Sequence, residues 1–148
     1  MNEAKVKDYI CEIGERIYQR EYVAANDGNI SVRLNEEEII ITPTGGSKGF
    51  MSPDMLIKVN LNGEVIEGDL APSSETKMHL RIYQDQPGVN SVVHAHPPYA
   101  TSFAVANKPL ETPILPEAVI TLGTVPVAEY GTPSTREIPD AVEAYLED

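Results

Sequence analysis

The stretch from residue 30 to residue 66 limits the possible folds most, because it consists of short apolar runs joined by turns. Ile30 to Leu34 alternates apolar with polar residues, which predicts a half-buried strand. Ile39 to Thr42 follows as a second, more buried strand, and two further runs flank Asn62-Gly63, a dipeptide typical of a type I′ hairpin turn. Hairpins join antiparallel strands, so the stretch predicts an antiparallel meander.

Helices are predicted before and after this meander. The first would end near Glu21, and its apolar stripe at helical spacing consists of Val6, Tyr9, Ile10, Ile13 and Ile17. Ser73 or Ser74 can cap a second helix that runs from about Glu75 to Gln84. Later in the chain we expect a helix from Tyr99 to Ala106, a last strand from Val125 to Ala128, and an amphipathic helix from Ile138 to Leu146.

A pair of histidines stands where another predicted strand ends. Residues 89–93 favour a strand, and Pro97-Pro98 prevents it from continuing because proline cannot donate a ladder hydrogen bond. His94 and His96 are two residues apart, so their side chains point the same way. Two such imidazoles are half of a zinc site, since catalytic zinc usually takes three protein ligands and keeps one open position. Glu75 is the nearest plausible further ligand or general base, although the same spacing also fits a polar pair that binds no metal.

Three turns before the histidines combine free backbone N–H groups with short polar side chains. They are Gly28-Asn29, Thr44-Gly45 and Ser73-Ser74, and the last of them sits at a predicted helix start. Such groups can bind phosphate without lysine or arginine. Each also fits an ordinary turn, but their occurrence together with Glu75 and the histidine pair favours a binding site.

Composition excludes several classes of protein. The 148 residues suit one domain, with 41% hydrophobic and 23% charged residues and no apolar run near the roughly 18 residues of a membrane span. A net charge of −12 argues against nucleic acid or an anionic membrane as partner, so an anionic substrate would have to be captured by local donors. The single Cys11 cannot form an intrachain disulfide, which fits a cytoplasmic location.

The chain resembles the class II aldolase/adducin family, and within it the fuculose-1-phosphate aldolase branch. Four motifs occur in the same order as in that family, namely residues 28–33, 41–45, 72–75 and 92–96, and a weaker match covers residues 125–132. The resemblance spans nearly the whole chain from about residue 5. It implies an α/β fold, a three-layer α/β/α sandwich around a mostly antiparallel central sheet, and a homotetramer with sites between subunits. It also implies Zn²⁺ or another divalent metal, and a ketose 1-phosphate that is cleaved to dihydroxyacetone phosphate and a short aldehyde.

The resemblance also implies a role for each site residue. His94 and His96 correspond to metal ligands, and Glu75 to the acid/base that also touches the metal. The corresponding phosphate pocket consists of Gly28, Asn29, Thr44, Gly45, Ser73 and Ser74. In such a site zinc stabilises an ene-diolate while the carbon–carbon bond breaks, and Glu75 exchanges the proton at the carbanion.

The chain departs from the family pattern in two places. Glu117 stands where the fuculose phosphate aldolases carry a tyrosine at the aldehyde end. The third metal histidine of the family lies in an Asn-His-Gly motif after the C-terminal helix, whereas this sequence stops at Asp148. We therefore expect these residues to be one domain that lacks its C-terminal part, in a longer chain of roughly 200 residues.

The one other histidine, His79, lies at i+4 from Glu75, so the two side chains could meet on one helix face; otherwise His79 packs in the core or supports the site from behind. Three alternative functions remain open at this point. A sugar-phosphate epimerase or dehydratase of the same family is possible, although the epimerase tends to carry aspartate in place of Glu75. A non-catalytic, adducin-like interaction domain is the third.

Overall fold

The computed structural model describes residues 2–146 and contains five strands. The strands are β1 (Asn29–Arg33), β2 (Glu38–Ile41), β3 (Ile57–Asn60), β4 (Val65–Glu67) and β5 (Ser91–His94). They form one sheet in the order β4-β3-β2-β1-β5, in which each neighbouring pair is antiparallel. The predicted meander is therefore confirmed in β1 to β4, and β5, which ends at His94 and leaves His96 beyond the strand, adds to it beside β1.

Five helices accompany this sheet, together with 3₁₀ turns at Lys48–Phe50 and Pro53–Met55. The helices are α1 (Glu3–Gln19), α2 (Thr76–Asp85), α3 (Pro98–Val105), α4 (Pro116–Leu122) and α5 (Glu137–Glu143). Helix α1 begins where the side chain of Asn2 accepts a hydrogen bond from the Lys5 N–H. None of the helices in residues 2–146 is long and apolar enough to cross a membrane.

Helices α1 and α2 cover opposite faces of the sheet. Ile39 and Ile41 of β2 pack in one buried cluster with Leu80 and Tyr83 of α2. The residue between them, Ile40, points the other way and belongs to a second cluster, with Val6 and Ile10 of α1, Ile30 and Leu56. Successive strand residues face opposite sides, so the three isoleucines of β2 are buried on both faces of the sheet. This arrangement confirms the predicted α/β/α sandwich around an antiparallel sheet.

Strand β1 is more buried than its alternating pattern predicts. Ser31 pairs with Ile41 and therefore faces α2, where it is 0% exposed and hydrogen-bonds His79 and Tyr83. Ile30 on the opposite face is 2% exposed. The expectation of a half-buried strand is wrong at this end, because a polar residue is buried wherever the opposite helix supplies partners.

Two other local predictions, a turn and a strand, also need correction. The turn at Asn62-Gly63 is not type I′, because only Gly63 has positive φ (87°), and the Asn60 carboxamide instead accepts bonds from the N–H groups of Asn62 and Glu64. Residues 125–128 form no strand, and Val125 makes a single bridge to Leu110 on the far side of the unpredicted helix α4.

The C-terminal helix is shorter than predicted. Helix α5 ends at Glu143, three residues before Leu146, and it packs against α2. Glu147 and Asp148, on which the prediction of an interrupted element depends, lie outside the described residues.

Candidate active site

The turn before β1 holds the histidine strand at very close range. Asn29 is the register partner of His94, and Gly28 has a φ of +71°. A Cβ atom on Gly28 would lie 2.7 Å from the His94 carbonyl oxygen and 2.6 Å from Cγ1 of Val23. Both the conformation and the space therefore require glycine, and the first predicted phosphate turn is fixed beside the predicted metal ligands.

Backbone hydrogen bonds bring the other two turns together. The N–H of Thr44 donates to the Ala71 carbonyl at 3.0 Å, and the N–H of Ser73 donates to the Thr42 carbonyl at 3.2 Å. Pro43 and Pro72 form the bridge between these two bonds. The loop after β2 and the start of α2 are thus paired as a short ladder, although 28 residues separate Thr44 from Pro72 in the sequence.

One cleft of about 400 Å³ opens where these segments meet. All nine site residues predicted from the sequence line it, namely Gly28, Asn29, Thr44, Gly45, Ser73, Ser74, Glu75, His94 and His96. Their assigned roles stay predictions, but their collection in a single cleft is a property of the fold.

The two histidines at this cleft face each other through their Nε2 atoms, 3.2 Å apart, with ring centroids 4.9 Å apart. Two nitrogen ligands at zinc-bond length in a tetrahedral site lie about 3.3 Å from each other, so the spacing suits one shared divalent ion. Burial lowers the pKa of His94, and the adjacent His96 lowers it further. The neutral imidazole, which is the form that binds metal, is therefore favoured.

Glu75 lies in the same cleft but does not complete a ligand set. Within residues 2–146, no three His, Cys, Asp or Glu side chains are close enough together to hold one metal ion. The expected grouping of Glu75, His94 and His96 around a metal is thus not assembled, and Glu75 as a metal ligand stays a prediction. Its position is fixed at the start of α2, where its N–H donates to Ser73 Oγ at 3.2 Å and its carbonyl accepts from the N–H of His79.

The predicted phosphate turns provide unused donors at the cleft. Over the described part of the chain, the backbone N–H groups of Gly45 and Ser74 have no hydrogen-bond partner. The N-cap residue of α2 is Glu75 rather than Ser73 or Ser74, the residues predicted from the sequence, and the Glu75 side chain makes no capping hydrogen bond within residues 2–146. Ser74 precedes Glu75 and lies near the N-terminus of α2, where the helix dipole favours an anion. Gly45 has a φ of +73°, and a Cβ atom added there would have no other atom within 4 Å, so its loop is open on that side.

Lys48 is a cleft residue that sequence reasoning missed. It is 1% exposed, and its Nζ donates to the carbonyl of Asn26 at 3.0 Å and to that of Gly46 at 2.6 Å. The ammonium therefore joins two of the turns. Burial lowers the pKa of Lys48, and the negative charge of Asp27 opposes that shift. The sequence did contain one indication of this role, because Lys48 stands three residues after Gly45 in the same glycine-rich loop.

Two residues with open roles lie outside the cleft. His79 is 0% exposed and bonds Asn29 and Ser31 through its two ring nitrogens, so it does not meet Glu75 on a helix surface. It instead supports the cleft from behind. Glu117 is exposed on α4 and is not among the residues that line the cleft.

Comparisons with known proteins match nearly the whole chain to one family. Residues 8–148 match the family model described as Class II Aldolase and Adducin N-terminal domain. An L-fuculose phosphate aldolase from Methanococcus maripaludis strain C7 is 38% identical over 139 residues, which cover 94% of this chain and 73% of the relative.

Two further matches show how broad this similarity is. A 3-oxo-tetronate 4-phosphate decarboxylase from Pectobacterium atrosepticum is 34% identical over 142 residues, covering 93% of this chain and 64% of the relative. A solved structure of an L-fuculose 1-phosphate aldolase superimposes with a TM-score of 0.89 at 30% identity, covering 97% of this chain and 68% of that one.

Proposed function

Because this chain belongs to the class II aldolase and adducin family, we propose that it is a metal-dependent aldolase acting on a phosphorylated sugar. The family and fold expected from the sequence motifs are confirmed. The proposed reaction cleaves a ketose 1-phosphate resembling fuculose 1-phosphate to dihydroxyacetone phosphate and a short aldehyde. The observation that carries it is the single cleft in which two imidazoles, a carboxylate and three donor-rich turns converge.

In this proposal His94 and His96 hold a divalent metal, which we take to be Zn²⁺. The 3.2 Å between their Nε2 atoms and the neutral state favoured for His94 support this assignment. When bound, the metal supplies Lewis-acid polarisation of the substrate oxygens, so a lysine Schiff base is not required.

Glu75 carries the proton in this account. Aldol cleavage removes a proton from the hydroxyl of the carbon that becomes the aldehyde, and it leaves a carbanion next to the ketone carbonyl. A carboxylic acid beside that carbanion would supply the proton that completes dihydroxyacetone phosphate. A positioned acid/base contributes typically 10²–10⁴-fold to the rate. A hydrogen bond from its N–H to Ser73 Oγ fixes the backbone of Glu75 at the start of α2. The side chain of Glu75 therefore extends from a fixed position in the lining of the cleft.

The substrate phosphate is held in this proposal by Gly28, Asn29, Thr44, Gly45, Ser73 and Ser74. The unused N–H groups of Gly45 and Ser74 support the assignment, since a phosphate needs several donors at once. The buried ammonium of Lys48 adds a local positive charge to a chain of net charge −12. The carboxylates of Asp27 and Glu75 line the same cleft, so an anion would have to be held by the local donors and Lys48 rather than by an overall positive charge.

We also propose the homotetramer that the family resemblance implied. Large apolar side chains between residues 98 and 130 are unusually exposed, among them Tyr99 and Tyr130 at 87% and Val105 and Ile120 at 85%. Apolar patches of this kind mark interaction surfaces. Light scattering of the purified chain tests the assembly, and a monomer at all concentrations would contradict it. The cytoplasmic location and the longer parent chain stay predictions.

A second candidate is a decarboxylase, and the 34% identity to the 3-oxo-tetronate 4-phosphate decarboxylase favours it. Decarboxylation of a 3-oxo acid also leaves a carbanion next to a carbonyl. The same acid/base and the same phosphate pocket would serve, and only the group that leaves would differ. The epimerase, dehydratase and adducin-like alternatives stay predictions.

One assay panel distinguishes these functions. The chain is loaded with Zn²⁺ and incubated with fuculose, rhamnulose, ribulose and 5-deoxyribulose 1-phosphates, and dihydroxyacetone phosphate is measured. We expect release with at least one of them, and its loss with a chelator or in His94→Ala. Carbon dioxide from a 3-oxo-tetronate 4-phosphate would instead favour the decarboxylase. A protein that retains no zinc after dialysis and converts none of these compounds would favour the adducin-like alternative.

A further inference from the structure

Four buried polar groups connect the core to the cleft in an unbroken row. The Tyr83 hydroxyl lies 2.9 Å from Ser31 Oγ, and Ser31 Oγ lies 2.6 Å from Nδ1 of His79. The other ring nitrogen, Nε2, lies 2.5 Å from Oδ1 of Asn29. None of these four residues is more than 4% exposed. Only the last, Asn29, also lines the cleft.

Only one donor-to-acceptor direction along this row leaves every buried hydrogen with an acceptor. Among residues 2–146 the Tyr83 hydroxyl bonds Ser31 Oγ, and its other neighbour, the Val92 backbone, supplies a donor N–H rather than an acceptor. The buried O–H of Tyr83 must therefore donate to Ser31 Oγ. The hydroxyl of Ser31 then donates to Nδ1 of His79. The ring therefore carries its proton on Nε2, which donates to Oδ1 of Asn29. The opposite direction would leave the Tyr83 hydrogen buried without an acceptor, which is unfavourable.

The surroundings keep the two titratable groups of this row uncharged. Burial lowers the pKa of His79 to about 3, and burial raises the pKa of Tyr83 to about 12. Near neutral pH the imidazole therefore carries one proton and the phenol keeps its own. Each group then has one hydrogen to donate, as the single direction requires.

The end of the row determines what Asn29 presents to the cleft. Its carbonyl oxygen is turned inward to His79, so its NH₂ group points the other way. That nitrogen has no hydrogen-bond partner in the described part of the chain, and it is not one of the buried side-chain atoms without a partner there. Since Asn29 lines the cleft, the NH₂ group is open to a bound molecule.

We propose that His79 is a positioning residue that holds the Asn29 amide with its NH₂ group toward the substrate phosphate. The inference rests on the phosphate pocket proposed above and adds a residue to it. An amide rotated by half a turn would present its carbonyl oxygen, which repels an anion. His79 would thus make the pocket selective for phosphate without touching it.

The first experiment reads the ring directly and needs no substitution. Nitrogen NMR of the chain with ¹⁵N-labelled histidine reports which ring nitrogen is protonated. We expect His79 to have its proton on Nε2 at every point between about pH 5 and pH 8. A proton on Nδ1 would mean that the hydrogen bonds run in the opposite direction and would overturn the proposal. This outcome does not depend on which molecule the cleft binds.

The second experiment is a double-mutant cycle with phosphoglycolate as the probe and glycolate as its unphosphorylated control. Asn29→Ala and His79→Leu should each weaken phosphoglycolate binding roughly ten- to a hundredfold and leave glycolate unchanged. The double variant should bind no worse than Asn29→Ala, because His79 acts through Asn29. Losses that add in the double variant would overturn the proposal.

His79→Gln provides the matched control, because its amide can still donate to Asn29 Oδ1. We expect His79→Gln to recover most of the phosphoglycolate affinity that His79→Leu loses. If His79 had a purely structural role, the affinity of each variant would instead fall in proportion to its loss of folding stability. Unchanged affinity in Asn29→Ala would remove the phosphate pocket itself. An effective Asn29→Ala with additive losses would remove only the role of His79. Should His79→Leu fail to fold, the NMR result and His79→Gln decide.

Discussion

Gly28→Ala should damage the site through the backbone, without removing any functional side chain. Gly28 stands at a φ of +71°, and the new methyl group would lie 2.7 Å from the His94 carbonyl oxygen. That oxygen is part of a peptide bond in β5 and cannot rotate away. The strand that carries the predicted metal ligands must therefore move away from the turn.

Two costs contribute to the expected loss. A left-handed conformation costs an alanine roughly 1–2 kcal/mol relative to glycine. Inserting a methyl group into a packed region costs typically about 1–3 kcal/mol. We therefore expect the free energy of unfolding to fall by about 2–5 kcal/mol, a large part of the roughly 5–15 kcal/mol that holds a domain together. Zinc affinity should fall as well, because His94 is displaced.

Two other glycines separate the costs experimentally. Gly45 has a φ of +73° with nothing within 4 Å of a new Cβ, and Gly88 has neither positive φ nor a neighbour within 4 Å. In urea titrations, Gly45→Ala should lose only the conformational part, and Gly88→Ala should be near neutral or slightly stabilised. If Gly28→Ala lost no more stability than Gly45→Ala, the close approach to His94 would be readily relieved and the reasoning would be wrong.

Three further predictions concern the cleft and its support. Glu75→Gln should keep the fold and phosphoglycolate binding but lose about 10²–10⁴-fold in steady-state turnover. If this variant kept wild-type turnover, Glu75 would only help to begin α2 and would not be the acid/base. Ser73→Ala and Ser74→Ala should each weaken phosphoglycolate roughly ten- to a hundredfold by calorimetry, and unchanged affinity would exclude the serines. Because the pKa of His79 falls from 6.5 to about 3 on folding, the unfolded chain alone takes up this proton between those values. Stability should therefore fall as pH is lowered through that window, by up to about 1.4 kcal/mol per pH unit, and His79→Gln should remove that share of the slope in urea titrations.

The features that the sequence predicted correctly depend on local chemistry. The short run of β-branched isoleucines in β2 identifies a buried strand. Pro97-Pro98 sets a limit beyond which the strand before His94 cannot continue, whatever surrounds it in the fold. The spacing of Val6 and Ile10 identifies the buried face of α1. The spacing of His94 and His96 predicted that their side chains point the same way, and in the structure their Nε2 atoms lie 3.2 Å apart, although β5 ends at His94.

Features set by distant partners were not predictable in this way. Ser31 counts as a solvent-facing residue in an alternating strand, yet its burial depends on His79, 48 residues later in the sequence. The same contact determines whether His79 faces Glu75 or the sheet. The sequence allowed both interpretations, because i+4 spacing describes the helix and says nothing about which face the sheet covers.

Lys48 shows why the assembly of the cleft goes beyond its motifs. A lysine in a glycine-rich loop is ordinarily solvated, because burying an ammonium costs more than one hydrogen bond returns. Here the carbonyls of Asn26 and Gly46 are both brought within 3.0 Å of its Nζ. That geometry requires the turn before β1 and the loop after β2 to lie side by side, and the loop after β2 is in turn paired with the segment before α2 through the bond from Thr44 to Ala71. Each motif thus specifies a turn, whereas the backbone pairing between turns decides which side chains share the site.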